Sequence, residues 1–78
     1  MKIGLVKSSV WATRKAASLA GQTFLVVDTG SDEIVAADQV GAGKGDRVLL
    51  VTGTAAARFC MDAPVDAVVV AILDGNGK

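Results

Sequence analysis

The sequence of 78 residues contains no histidine, no tyrosine and a single cysteine, Cys60. One thiol cannot form an internal disulfide, and one thiol without histidine cannot supply the ligands of an ordinary zinc site. The same shortage leaves few side chains that could act as a general base or as an activated nucleophile. These absences predict a protein that is not an enzyme and that needs no metal or other cofactor.

Charge of one sign is not in excess either, because eight basic residues balance eight acidic ones. The chain therefore lacks an overall field that would attract nucleic acid or an anionic membrane. Long hydrophobic runs are also missing: the longest, residues 67–73, is far shorter than the roughly 20 residues that span a bilayer. Lys7 interrupts the apolar residues near the N-terminus, which argues against a signal peptide. We expect a cytoplasmic protein with no membrane partner.

Apolar residues are abundant, since they make up 51% of the chain and the mean hydropathy is positive. A chain of this length forms one small domain, residues 1–78, close to the size at which a single core gives only marginal stability. Neither a disulfide nor zinc can add stability, so burial between subunits is the remaining means. We expect the chain to associate with itself.

Five runs of β-branched and apolar residues predict five strands, and an alanine-rich run predicts one short helix. In the first strand, Ile3 and Leu5 lie on one face and Val6 and Val10 on the other, which indicates a bulge near Lys7. Five short strands in so short a chain are typical of an all-β fold with one short helix, a small five-stranded OB-like β-barrel. The predicted strands are residues 2–13, 22–28, 33–40, 47–52 and 67–74, and the predicted helix is residues 54–61.

The fifth predicted strand is apolar at every position from residue 67 to residue 73. Both of its faces therefore need cover, although a barrel supplies an interior on one face only. We expect a neighbouring subunit to cover the other face. Burying one Val or Ile side chain contributes roughly 1.5–3 kcal/mol, so a few such residues decide whether a marginal domain is stable.

A glycine loop, residues 41–45, precedes the fourth strand and contains Gly41, Gly43 and Gly45. Glycine permits a positive φ or the close approach of another chain. The loop does not fit a dinucleotide fingerprint, because it precedes a strand instead of following one, and it does not fit a P-loop, because Lys44 is followed by glycine and not by Ser or Thr. A structural turn or a subunit contact is favoured over nucleotide binding.

Three side chains that could carry chemistry are better explained by structure. Cys60 lies in an alanine-rich segment beside Phe59, with no histidine available as a base, which favours a buried apolar role over a nucleophile. Asp38 and Asp46 flank the glycine loop, and aspartates at strand ends usually accept hydrogen bonds from turn amides. We therefore expect both to shape the loop, not to act as paired catalytic carboxylates.

The first fifteen residues carry four positive charges and no negative ones, which on an OB-like barrel suggests binding of single-stranded nucleic acid. Trp11 would stack on a base, and Arg14 and Lys15 would contact phosphates. Such binders use several aromatic residues, whereas this chain has one Trp and two Phe. A lone Trp in an apolar chain is more often a core or interface residue, so nucleic acid is an unlikely partner and this function remains the alternative.

The glycine loop is followed, one strand later, by the turn Gly53-Thr54-Ala55-Ala56-Ala57-Arg58, in which Thr54 is expected to cap the short helix. The combination of loop and turn is specific, whereas either half alone would be weak. Further matching segments are Val10-Trp11-Ala12-Thr13-Arg14-Lys15, Ala36-Ala37-Asp38, Val48-Leu49 and Pro64-Val65-Asp66-Ala67. With these residues the chain resembles, over almost its full length, the vertex proteins of bacterial microcompartments, a family that includes the carboxysome and ethanolamine-utilisation pentameric shell proteins.

The resemblance implies an OB-like barrel that assembles into a ring, usually a homopentamer, with hexamers among some relatives. It implies a non-catalytic place in a polyhedral microcompartment shell, beside hexameric shell proteins. A ring needs a heterologous interface, in which one patch meets a different patch on the next subunit. We expect the glycine loop near this junction and the turn against a neighbouring subunit or shell tile. The candidate interface residues are Gly41, Ala42, Gly43 and Gly45 in the loop, and Gly53, Thr54 and Arg58 in the turn.

Overall fold

The computed structural model describes residues 1–59 and 65–74. Its strands are β1 (Lys2–Val10), β2 (Phe24–Asp28), β3 (Glu33–Asp38), β4 (Arg47–Thr52) and β5 (Ala67–Ile72), and two 3-10 helices cover Ala17–Leu19 and Gly53–Arg58. The strands form a closed barrel in the order β1-β2-β3-β5-β4. Neighbouring strands are antiparallel except β3 and β5, which run parallel. The predicted class, a small five-stranded OB-like barrel, is confirmed.

Strand β1 is long because it pairs with a different strand along each half. Residues 2–5 pair with β4, and residues 5–10 pair with β2. The register with β2 slips between Val6 and Ser8, so the predicted bulge near Lys7 is confirmed. A bulge bends a strand and increases its twist, which allows β1 to belong to two sides of the barrel.

The barrel interior is filled by aliphatic side chains from all five strands. Leu25 and Leu50 are the largest of them and have no exposed surface. Gly4 lets β1 come close to β2, because a Cβ at this position would overlap the Val27 Cγ1 methyl and lie 3.1 Å from the Asp28 carbonyl oxygen. The buried residues of this interior cluster are Val6, Leu25, Val27, Ala36, Val48, Leu50, Ala67 and Val69.

A second, smaller cluster lies on the opposite face of β3, β4 and β5. Ala37, Val51 and Val68 are neighbours of interior residues along their strands and so point the other way, and Ala56 from the Gly53–Arg58 helix packs on them. Val68 has no exposed surface as a result. The expectation that a neighbouring subunit covers the second face of the fifth strand is wrong at this residue, since the chain supplies the cover itself. Further along, Val70 is half-buried.

The predicted helix over residues 54–61 is wrong in its type and extent. The structure has a 3-10 helix over Gly53–Arg58, and the Phe59 N–H donates to the Ala56 carbonyl oxygen over 3.0 Å at its end. So short a run cannot recover the cost of nucleating an α-helix, and 3-10 turns serve as short connectors. In the described ranges no helix is long and apolar enough to cross a membrane. The predicted burial of Cys60 and the helix stop at residues 62–64 lie outside the described residues.

Three strands end earlier than the sequence predicts. β1 ends at Val10 and not at residue 13, β3 ends at Asp38 and not at residue 40, and β5 ends at Ile72 and not at residue 74. Asp38 Oδ1 accepts hydrogen bonds from the N–H groups of Val40 and Gly41, both over 3.1 Å. These bonds form a turn, so the backbone leaves the strand at Asp38 and enters the glycine loop.

Candidate functional site

The glycine loop joins β3 to β4 and is fixed to β1 by backbone hydrogen bonds. The Gly45 N–H donates to the Val6 carbonyl oxygen, and the Val6 N–H donates to the Asp46 carbonyl oxygen, both over 2.9 Å. Gly41 and Gly45 have φ angles of 78° and 91°, in the left-handed region that side chains with a Cβ resist. Glycine at these two positions therefore sets the path of the loop across the β1 bulge.

The two aspartates beside the glycine loop hold its shape. Asp38 binds the amides of Val40 and Gly41, and Asp46 Oδ2 accepts a hydrogen bond from the Gly43 N–H over 2.8 Å. The prediction that both carboxylates bind turn amides is confirmed.

Ala42 and Gly43 lie next to each other but face different surroundings. Ala42 is half-buried and packs against the interior cluster of the barrel. A Cβ built on Gly43 would meet no atom of the chain within 4 Å, and the φ angle of Gly43 is not positive. A Cβ at Gly43 would thus fit the single subunit without strain.

The turn Gly53–Arg58 is attached to the barrel at two points. The Gly53 N–H donates to the Asp66 carbonyl oxygen over 2.8 Å, and Ala56 is fully buried. Thr54 and Arg58 are exposed. Thr54 does not cap the helix as expected, because the helix already begins at Gly53 and its N-cap residue is Thr52, which forms no side-chain cap bond. Arg58 presents a planar guanidinium that can bind a carboxylate with two hydrogen bonds.

The structure does not bring the seven candidate interface residues together. The glycine loop precedes β4 and the turn follows it, so the two groups lie at opposite ends of the six-residue strand Arg47–Thr52. At the rise of an extended strand this separation is roughly 17 Å. The loop and the turn are therefore two separate regions of one subunit and not a single site.

Two of the three residues proposed for nucleic-acid binding share a groove. Trp11 and Lys15 line a cavity of about 300 Å³, together with the aromatic ring of Phe24. Arg14 is exposed but does not line this groove. Trp11 is 89% exposed, so the prediction of a core role is wrong for the single subunit, and a role in an interface stays a prediction.

Sequence reasoning missed the other walls of this groove. Val10 in β1 pairs with Phe24 in β2. Leu19 comes from the connection between these two strands, and Val35 comes from β3. These residues are up to 25 positions apart and are assembled only by the strand register. The prediction that Val10 shares a face with Val6 is wrong, because after the bulge Val10 is opposite Phe24 and partly exposed.

A fixed loop, a short turn and an apolar groove are among the exposed features of the described residues, and all three are accessible to another macromolecule. They belong to a small OB-like barrel. A family model described as "Ethanolamine utilisation protein EutN/carboxysome" matches residues 1–74. The chain belongs to this EutN/CcmL family, as its resemblance predicted.

Individual relatives agree with the family match. The chain is 43% identical over 83 residues to the carboxysome shell vertex protein CcmL of Synechococcus elongatus, covering 95% of this chain and 84% of that protein. The structure of CcmL from Nostoc sp. PCC 7120 superposes with a TM-score of 0.87 at 38% identity, covering 95% of this chain and 89% of the other. The pentameric microcompartment shell protein GrpN from Rhodospirillum rubrum gives 0.82 at 36% identity, with 95% and 94% covered. These relatives do not favour the nucleic-acid alternative.

Proposed function

We propose that the chain is a structural protein that forms a homopentamer and caps the vertices of a polyhedral microcompartment shell in the bacterial cytoplasm. The observation that carries this function is the 43% identity with a carboxysome shell vertex protein over 95% of the chain. A pentameric shell protein that shares the fold at 36% identity supports the same number of subunits. The relatives are shell proteins, so we propose no catalytic activity.

Shell geometry explains why such a protein is needed. Six-fold tiles cover a flat sheet, and a sheet of this kind closes into a polyhedron only where five-fold units replace them. A heterologous contact repeated by a five-fold rotation gives a closed ring with no free interface. We propose hexameric shell proteins as the partners that surround this ring.

We further propose that the glycine loop and the turn are two contact regions that serve this assembly. The glycine loop, with Gly41, Ala42, Gly43 and Gly45, would lie at the junction between subunits, where Ala42 anchors it and the open space at Gly43 admits a neighbour. Gly53, Thr54 and Arg58 would contact a neighbouring subunit or a shell tile. The distance between the regions supports this division, because two different patches are what a ring subunit needs.

Native mass spectrometry of the purified protein at moderate and high salt tests the ring. Apolar burial is not screened by salt, whereas phosphate contacts weaken steeply as salt rises. We expect a five-subunit species that persists at high salt. A monomer or dimer at every concentration would contradict the proposed function.

Substitutions at Gly43 and Arg58 test the two contact regions separately. Gly43→Ala and Gly43→Val form a graded pair: the Cβ that both add meets no atom of the single subunit within 4 Å, and we expect the larger side chain to weaken the ring more. An intact pentamer with Gly43→Val would place the loop outside the interface.

Arg58→Ala should reduce co-assembly with hexameric shell proteins, and Arg58→Lys, which keeps the charge but loses the planar fork, should restore it only in part. Unchanged co-assembly of Arg58→Ala would remove Arg58 from this role.

A further inference from the structure

The Trp11 groove, lined by Val10, Trp11, Lys15, Leu19, Phe24 and Val35 among others, is a mainly apolar feature of the surface that the single subunit leaves open. Trp11 is 89% exposed and Val35 is 52% exposed. Aromatic side chains in such positions are the residues that most often dominate a protein interface. Among the residues that the structure describes, Lys15 is the only charged one that lines this groove.

A second apolar surface lies on the outer face of β1, β4 and β5. Leu49 is opposite Ile3 on one side and opposite Ala71 on the other, so these residues form a row across three strands. Leu5 lies two residues beyond Ile3, and these two side chains are 38% and 52% exposed. We name the surface formed by Ile3, Leu5, Leu49 and Ala71 the Leu5 surface.

The Leu5 surface has carboxylates along one side. Asp28 is opposite Leu5, and Glu33 is opposite Asp28 on the next strand. On the β4 side, Arg47 is opposite Leu5. Arg47 directly follows Asp46, whose carboxylate accepts a hydrogen bond from an amide of the glycine loop. The surface is thus apolar in the middle, acidic towards β3, and continuous with the loop proposed above for the subunit junction.

We propose that the Trp11 groove of one subunit binds the Leu5 surface of the next subunit in the ring. Both surfaces are apolar, and the single cation of the groove, Lys15, matches the acidic side of the other surface at Glu33. The two patches use different halves of β1 and different partner strands, so the contact is heterologous, as ring closure requires. This inference rests on the proposed pentamer and specifies which surfaces hold it together.

Trp11 is the only tryptophan of the chain, so its fluorescence reports this contact directly. Acrylamide quenching would be measured on the protein at a concentration where native mass spectrometry finds the ring, and again after dilution to single subunits. We expect Trp11 to be quenched several-fold less in the ring. An intact pentamer whose Trp11 is as accessible as in the single subunit would overturn the inference while leaving the proposed function in place. Shielding that appears only when hexameric shell proteins are added would also overturn it.

Substitutions provide a second, independent measurement. Trp11→Ala removes a side chain that the single subunit hardly buries, so the subunit should fold normally while ring dissociation increases by at least about tenfold, as for an interface hot spot. Lys15→Glu and Glu33→Lys should each weaken the ring roughly 2- to 5-fold, and the double charge swap should recover part of the loss. Lys7→Glu, which makes the same charge change outside both surfaces, is the control. A ring unaffected by Trp11→Ala would contradict the contact. So would a Lys15→Glu/Glu33→Lys double variant whose loss of ring stability equals the sum of the losses of the two single variants. A protein that is monomeric at all concentrations would instead contradict the pentamer itself.

Discussion

Gly4 is the position where the structure makes the sharpest prediction about stability. A Cβ on Gly4 would overlap the Val27 Cγ1 methyl, and it would lie 3.1 Å from the Asp28 carbonyl oxygen and 3.3 Å from Leu50 Cδ1. Val27 and Leu50 are fully buried in the barrel interior, so neither side chain can move aside into solvent. Gly4→Ala therefore forces β1 away from β2 or distorts the packing of the interior cluster.

Overpacking of this kind costs about 1–3 kcal/mol. For a domain of 60–100 residues, each kcal/mol lowers the unfolding midpoint by roughly 4–8 °C. The matched control is Gly43→Ala, because a Cβ there meets no atom within 4 Å and should leave the subunit's own stability nearly unchanged. Thermal unfolding followed by circular dichroism would compare both variants with the parent protein. The comparison needs a concentration at which the subunits are dissociated, since Gly43→Ala is expected to weaken the ring and association changes the apparent stability. If Gly4→Ala unfolds at the parent temperature, the close packing of β1 against β2 is wrong.

Three further substitutions test the core, the turn and the loop by urea unfolding. Leu50→Ala removes a fully buried side chain and should cost about 2–5 kcal/mol; a loss below about 1 kcal/mol would show that the barrel interior is not closely packed. Ala56→Leu should overpack the second cluster and cost about 1–3 kcal/mol. Its control, Ala57→Leu, changes an exposed position of the same helix and should have little effect. Equal losses of stability in the two variants would contradict the orientation of the helix. Asp46→Ala removes the acceptor of the 2.8 Å bond from the Gly43 amide and should cost about 1 kcal/mol, with Asp46→Asn closer to the parent protein because it keeps an acceptor oxygen.

Much of the fold could be predicted from the alternation of side chains along the chain. In β2, Leu25 and Val27 point into the barrel with no exposed surface, as the period of two requires. The bulge near Lys7 was predicted correctly, but the prediction that Val6 and Val10 share a face is wrong. The extra residue shifts the later side chains to the opposite face, so Val6 is buried whereas Val10 is 37% exposed. The aspartates beside the glycine loop were predictable because their side chains act on amides only a few residues away.

The type of the short helix and the cover of β5 depended on tertiary contacts that local sequence does not contain. The alanine run favours helix by propensity, but Ala56 must pack on Val68 while Gly53 stays bonded to the Asp66 carbonyl group, and these two attachments fit a short 3-10 turn. For the same reason the second face of β5 did not need another subunit at Val68.

The positions of the surface features also depended on the register between strands. Val10, Phe24 and Val35 meet in one groove only because β1, β2 and β3 pair as they do. The sequence placed the glycine loop and the turn close together along the chain, but the extended strand between them holds them apart.

The closed order of the strands also determines how these subunits can recognise one another. A sheet with a free edge can gain strands from other chains through backbone hydrogen bonds, which almost any sequence can provide. Here every described strand pairs with two others, so no strand has a side that is free along its whole length. The seam between β3 and β5 is the shortest, with only two residue pairs, Ala37 with Val68 and Asp38 with Val69. Recognition between subunits then depends mainly on side-chain shape and charge. A copy placed in the wrong orientation would find little backbone pairing to hold it, so errors of assembly would dissociate before they are built into a larger structure.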